Sequence, residues 1–238
     1  MSGLRITLIG GRGRVGGLVA PILRARGHQV LVADLGVEEE RPEQTRADAM
    51  SHADVARVVR DADLVVHMAV VVNRTAEEDQ RPDRLRDCYA VNVGSVAVAV
   101  EQCRLAGVPL VQISSMSVFS EFGQVRVDPA AEPDSTQTYG FTKRLAEQVC
   151  SLHARAFPEI RVTSLRLAFP TPDDVAPLWK VPFSGELRQV RLLDGTPVGA
   201  LPASQLATAI EGCAEMPGGH RVLTLTAGPE ALLNGPSR

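Results

Sequence analysis

The chain has 238 residues, 45% of them hydrophobic, and a formal net charge of −3. That suffices for one sizeable core and falls short of two comfortable domains, while the missing basic field argues against nucleic acid as a partner. No apolar run reaches the roughly 18 residues of a membrane span, and Cys88, Cys103, Cys150 and Cys213 stand apart with no C-x-x-C pair, so the expectation is a cytoplasmic protein with reduced thiols, no metal site and no membrane segment.

In chain order, the first strand is expected at 5–9, followed at once by L-I-G-G-R-G-R-V-G-G, residues 8–17. Glycines where a strand meets a helix permit a tight turn and let backbone approach a pyrophosphate, with the helix N-terminus supplying N–H donors. The motif reads either as Gly10-x-x-Gly13-x-x-Gly16 or as Gly11-x-Gly13-x-x-Gly16, with Arg14 and Val15 inside it. A helix at 15–26 leads to a second strand at 29–33 that ends in Asp34. A carboxylate there accepts ribose hydroxyls and repels a 2′-phosphate, which favours NAD, with NADP as the alternative because Arg12 and Arg14 are close in sequence. The plain alternative for Asp34 is an ordinary strand-end turn.

Further strands are expected at 64–67, 110–113, 161–167 and 222–225, with helices at 51–60, 86–106, 138–156 and 203–215 between them. Apolar runs alternating with segments of helical period predict an α/β fold, a Rossmann-type doubly wound parallel sheet. Residues 1–168 form the nucleotide-binding part with the active site. Residues 169–238 open with the proline-interrupted stretch from Phe169 to Pro202, read as a small substrate-binding lid completing the same fold.

The strand at 110–113 runs into Ser114 and Ser115, and Tyr139 follows at the head of a helix with Lys143 four residues on. In a doubly wound sheet, ligands sit at the carboxyl ends of strands, so both serines are expected to face the crevice of the glycine loop. At spacing i, i+4 the lysine lies on the face of the tyrosine, where an ammonium lowers a phenol's pKa and makes it a usable acid and base. The plain alternatives are a solvated helix face and strand-end capping serines.

Taken together, Gly10-x-x-Gly13-x-x-Gly16, Asp34, V-V-H-M-A at 65–69, S-S-M-S-V-F at 114–119 and Y-G-F-T-K at 139–143 resemble the extended or atypical short-chain dehydrogenase/reductases, often described as NAD-dependent epimerase/dehydratases. The resemblance covers about residues 4–168 and resumes weakly over 200–228. It implies a Ser–Tyr–Lys active site: Tyr139 as acid/base, Lys143 tuning it and binding the nicotinamide ribose, Ser115 orienting the substrate. It further implies cofactor contacts at Asp48 and Ala49 near the adenine, at Ala69, and at Asn92, although N-V-G-S at 92–95 departs from the family's usual pattern. His67 is then a structural strand residue. Relatives often dimerise through two long helices, here 86–106 and 138–156, and the apolar V-A-V-A-V at 96–100 suits burial against a partner, so a homodimer is expected.

The loop after the strand at 64–67 offers Val71 and Val72 as pocket walls and Asn73 or Arg74 as polar hooks, with Phe169 on the far side. Arg74 suits a substrate carboxylate. The expected function is an NAD(P)-dependent oxidoreductase acting on a small sugar, sugar acid or secondary-metabolite ketone. An NAD-retaining epimerase or dehydratase is the second reading, and a cofactor-sensing protein without chemistry is the third.

Overall fold

A computed structural model of the chain describes residues 3–73 and 75–233. Seven parallel strands make the central sheet: β1 (Arg5–Ile9), β2 (Gln29–Asp34), β3 (Gln44–Arg46), β4 (Leu64–His67), β5 (Leu110–Ser115), β6 (Arg161–Leu167) and, after four short ribbon strands, β11 (Gly219–Leu225). Their order across the sheet is β11-β6-β5-β4-β1-β2-β3, so the winding reverses between β1 and β4. That reversal separates the loops leaving β1 and β4 and opens a crevice at the strands' carboxyl ends.

Helices cover both faces, which is why the strands read as nearly unbroken apolar runs. On one side α1 (Arg14–Ala25) and α7 (Ala203–Gly212) pack Val19, Leu23, Leu206 and Ile210 onto Ile6, Leu8, Leu64 and Val66. On the other, α2 (His52–Val59), α5 (Ser95–Ala106) and α6 (Thr138–Ala156) pack Val55, Val59, Val96 and Ala146 onto Ile9 and Val65. The period of two along each strand sorts the residues between the faces, and each fully buried Leu or Ile contributes about 1.5–3 kcal/mol. No helix among the described residues is long and apolar enough to cross a membrane.

Three differences from the sequence reading have physical causes. The helix expected over 86–106 is broken into α4 (Pro82–Tyr89), a π-helical turn (Ala90–Gly94) and α5, preceded by the short α3 (Ala76–Asp79). The turn lies where buried Asn92 forms hydrogen bonds to another segment, and such wider turns tend to occur at functional positions. The run 96–100 is spent largely inside the chain, with Val96, Val98, Ala99 and Val100 buried in the core beside α2 and α6. Finally, residues 169–202 form two antiparallel ribbons, β7 (Trp179–Lys180) with β8 (Leu187–Arg188) and β9 (Val190–Arg191) with β10 (Pro197–Val198), each strand only two residues long and without a legible period. Asp173 in this segment accepts the Ser204 amide at 2.9 Å. It thereby supplies, from outside, the carboxylate that the start of α7 lacks.

His67 is fully buried on β4 and reaches Ser95 Oγ at 2.8 Å, while that hydroxyl donates to the Val91 carbonyl. The imidazole Nε2 is therefore the donor. Burial, aided by the Lys143 charge, pushes His67 down from 6.5 to about 3, and burial pushes His220 on β11 down to about 4. Both rings are neutral in the folded chain and take up a proton when it unfolds below about pH 6.5. Their stability contribution is complete above that pH and is lost as pH falls toward the folded values. We expect the thermal midpoint to fall by several degrees between about pH 7 and pH 5, with a shallower dependence in His67→Gln; equal slopes in the two proteins would remove His67 from this account.

Candidate active site

In the turn between β1 and α1 both Gly10 and Gly11 are closely hemmed in, a Cβ on Gly11 standing 2.9 Å from the Leu8 carbonyl oxygen. Gly10 has φ +78°, and a Cβ there would stand 2.4 Å from the Ala69 amide nitrogen after β4. A Cβ on Gly16 would meet the Gly11 carbonyl at 2.0 Å. Both close approaches exclude any larger side chain. Ala69 thus lies against Gly10 at the point where the sheet reverses.

At the end of β5 the strand alternation separates two neighbours that the sequence reading had placed together. Ser115 faces the crevice, whereas Ser114 points to the other face and donates to Glu147 Oε1 at 2.6 Å. Successive residues on a strand face opposite ways, so only one of the pair can serve the site. Tyr139 opens α6, and Gly140 lets that helix head dock on the loop after β5, since a Cβ there would lie 2.1 Å from the Ser117 carbonyl. The Ser115 hydroxyl thereby engages the Tyr139 phenol. It also accepts the Ser117 amide at 3.0 Å and keeps its own proton to donate.

Lys143 is 3% exposed and donates from Nζ to the Ile113 carbonyl at 2.7 Å. Burial pushes its pKa down from 10.5 to about 8, with the Glu147 carboxylate pulling the other way. The expectation that this lysine depresses the tyrosine is corrected here: burial holds Tyr139 above its ordinary value, and the opposing influence comes from Ser115. The geometry explains it, because Nζ lies 5.8 Å from the Tyr139 ring centroid and is committed to the strand carbonyl.

One group that the sequence reading missed supports the lysine from behind. Glu147, one turn further along α6, accepts from Arg166 Nε at 2.9 Å and Nη2 at 2.7 Å, and both side chains are nearly buried, 7% and 8% exposed. Spacing i, i+4 from Lys143 was the available signal; the partner on β6 had none.

The other expected residues divide. Gly10, Gly13, Arg14, Val15, Ser115, Tyr139 and Phe169 line a cavity of about 630 Å³ at the strand ends. Val71 does not: its neighbours Val70 and Val72 do, again by alternation. Asn92 is spent elsewhere, clamping both backbone groups of Val71 at 2.7 and 2.9 Å and donating to Thr142 Oγ1 at 3.1 Å. Its side chain holds the loop after β4. The Asn73 amide joins Asp79 and Arg84 on the two short helices that follow. Arg74 lies outside the described residues. Arg14 has its guanidinium on the Pro170 and Lys180 carbonyls, tying the glycine turn to the segment beyond β6. Asp48 caps its own turn, accepting the Met50 amide at 2.8 Å, and Ala49 packs beneath it against the core. The far wall, Met68, Phe122, Trp179 and Phe183, escaped the sequence reading because it comes from irregular backbone.

Residues 6–170 match the model of the NAD dependent epimerase/dehydratase family. The chain belongs to this family. The curated dTDP-4-dehydrorhamnose reductase of Mycolicibacterium smegmatis is 30% identical over 148 residues, 60% of this chain and 40% of that protein, so the chain spans well under half of this relative's length. Among solved structures, UDP-glucose 4-epimerase from Brucella ovis in complex with NAD is similar with a TM-score of 0.71 at 18% identity, over 94% of this chain and 77% of that one. Uronate dehydrogenase from Agrobacterium tumefaciens is similar with a TM-score of 0.68 at 18% identity, over 94% and 77%. At such identities the structural likeness speaks for the fold.

For a member of the NAD dependent epimerase/dehydratase family, the group to test against these residues is NAD. The amides of Arg14, Val15 and Gly16 open α1 without intrahelical acceptors, and no acidic residue sits in that first turn. Asp34 takes the Arg12 amide at 3.0 Å on one oxygen and the Gly36 amide at 2.8 Å on the other, which leaves lone pairs on both. The donor set therefore fits a pyrophosphate beside a ribose diol.

Removing Glu147 would strand the Arg166 charge in the core. We expect Glu147→Ala to lower unfolding free energy by roughly 3–5 kcal/mol in urea titrations, and a loss under about 1 kcal/mol would show that water replaces the carboxylate.

Proposed function

We propose that the chain is an NAD-dependent oxidoreductase acting on a carbinol or carbonyl carbon, with Tyr139 as its acid/base. The observation that carries this reading is the Ser115–Tyr139 pair, backed by the Lys143 ammonium, in the wall of a cavity that begins at the Gly10–Gly16 turn. NAD, when bound, supplies the hydride or takes it up. In the reducing direction the substrate oxygen accepts hydrogen bonds from Tyr139 Oη and Ser115 Oγ. Once the carbonyl carbon has been reduced, its oxygen would take the Tyr139 proton. The phenolate left behind is stabilised by the Ser115 hydroxyl, while Lys143, with a pKa of about 8, is still an ammonium at neutral pH. Lysine has three donors and the Ile113 carbonyl uses one, so two remain for a ribose hydroxyl.

A dehydratase reading has less support. Met116 and Ser117 follow Ser115, and no Asp or Glu lines the cavity among the described residues. A sensor without chemistry has no use for a lysine held in the core beside a tyrosine at desolvation cost.

Tyr139→Phe is expected to lower turnover by 10²–10⁴-fold while NADH binding stays within about threefold of wild type; turnover at wild-type rate would remove the tyrosine from the chemistry. For the cofactor, Asp34 is held rigid by its two amides where a 2′-phosphate would arrive. NADH is expected to bind at least tenfold more tightly than NADPH, with the ratio collapsing toward one in Asp34→Asn. Equal affinities in wild type would mean that the Arg12 guanidinium, hydrogen-bonded to the Gly36 carbonyl, outweighs the carboxylate.

A further inference from the structure

The polar side chains around the cavity are few, and most are already committed. Ser115 and Tyr139 belong to the reacting oxygen, Arg14 gives its guanidinium to the Pro170 and Lys180 carbonyls, and the Trp179 indole nitrogen is sealed from solvent with no acceptor. That leaves the Ser117 hydroxyl. No Asp, Glu or Lys lines the cavity among the described residues, and the one Arg is taken.

The remaining wall is apolar. Phe169 stacks on Phe122 with centroids 5.0 Å apart and meets Trp179 edge-on at 5.1 Å. Val72 closes the side toward β4, and Phe183, 69% exposed, stands at the mouth. Phe169 holds φ +51°, an uncommon conformation for a bulky residue, and in it the ring lies against both neighbours.

A free sugar brings several hydroxyls, and each one buried without a partner bears its full desolvation cost. Beyond the reacting oxygen this cavity can satisfy about one more. A diphosphate or carboxylate would find no uncommitted cation among the described lining residues. A ring-bearing hydrocarbon skeleton with a single oxygen loses nothing on entry and gains contact with Val72, Phe169 and Phe122.

We propose that the substrate is an apolar cyclic ketone or secondary alcohol, held with its one oxygen between Ser115 and Tyr139 and its ring against Phe169, Trp179 and Val72. This rests on the oxidoreductase reading for the role of the oxygen, and on the cavity wall alone for the class of the skeleton.

Trp179 is the chain's single tryptophan, so its emission reports on this wall directly. The full chain, saturated with NAD⁺, is titrated with 2-decalone, D-glucuronate and UDP-glucose. Glucuronate is included because the sequence places Arg74 two residues after Val72. A saturable change is expected with 2-decalone at a concentration at least tenfold below that needed for either sugar compound. Val72→Asp should weaken the ketone by tenfold or more, and Phe183→Asp, at an exposed position, repeats the test if the first variant folds poorly. Tighter saturation by glucuronate or UDP-glucose, or no saturation by the ketone, overturns the proposal. NADH consumption separates it from the broader reading. Saturable ketone binding without Tyr139-dependent NADH consumption supports the apolar cavity and sinks the oxidoreductase assignment. Tyr139-dependent NADH formation from NAD⁺ with glucuronate alone does the reverse.

Discussion

A single buried hydrogen bond, from the Lys143 ammonium to the Ile113 carbonyl at 2.7 Å, fixes most of what the site can do. It fastens α6 to the carboxyl end of β5. Tyr139 lies one turn before the donor on the helix, and Ser115 lies two residues after the acceptor on the strand. An ammonium in the core is costly, and burial pulls its pKa to about 8. The charge survives at neutral pH because Glu147 stands one turn further on, itself held by Arg166 from β6 and by Ser114 from β5. Tyrosine, lysine and glutamate thus descend one side of a helix, each on a different kind of support: a hydroxyl, a carbonyl and a guanidinium.

The sheet supplies the place where this side of the helix is useful. Strand order reverses between β1 and β4, and the two loops that diverge there approach closely where Gly10 meets Ala69. Asn92 then clamps Val71, so the loop after β4 is stiff where it passes the cavity. Arg14 ties the opposite rim to the ribbons beyond β6. Rigid backbone on one rim and a single guanidinium latch on the other place the glycine turn, the Ser–Tyr pair and the aromatic wall around one space.

Much of this was legible in the sequence, and the exceptions share a cause. Strands 5–9, 64–67 and 161–167 and helix 138–156 were readable to the residue, because buried parallel strands and an amphipathic helix leave strong periodic signals. The Tyr139–Lys143 pair was readable because helical spacing is fixed. Periodicity alone did not give the choice of face: Ser114 against Ser115, which only the family resemblance singled out, and Val71 against Val72 differ in which side of an extended backbone they occupy. Apart from Phe169, the wall made by Phe122, Trp179 and Phe183 was illegible for another reason. Its members come from irregular loops and two-residue strands, with contacts between residues far apart in sequence. The phenol pKa was misjudged because helical spacing gives proximity but not burial, which raises Tyr139 with Ser115 opposing it.

The most direct test of the central claim is a crystal structure of the chain with NAD⁺ bound. The account predicts the pyrophosphate on the amides of the Gly13–Gly16 turn, the adenosine ribose at Asp34, and the reactive carbon of the nicotinamide within about 4 Å of where a substrate carbon would meet the Tyr139 hydroxyl. A nucleotide bound in that crevice with its nicotinamide turned away from Tyr139 and Ser115, or bound elsewhere on the molecule, would contradict it.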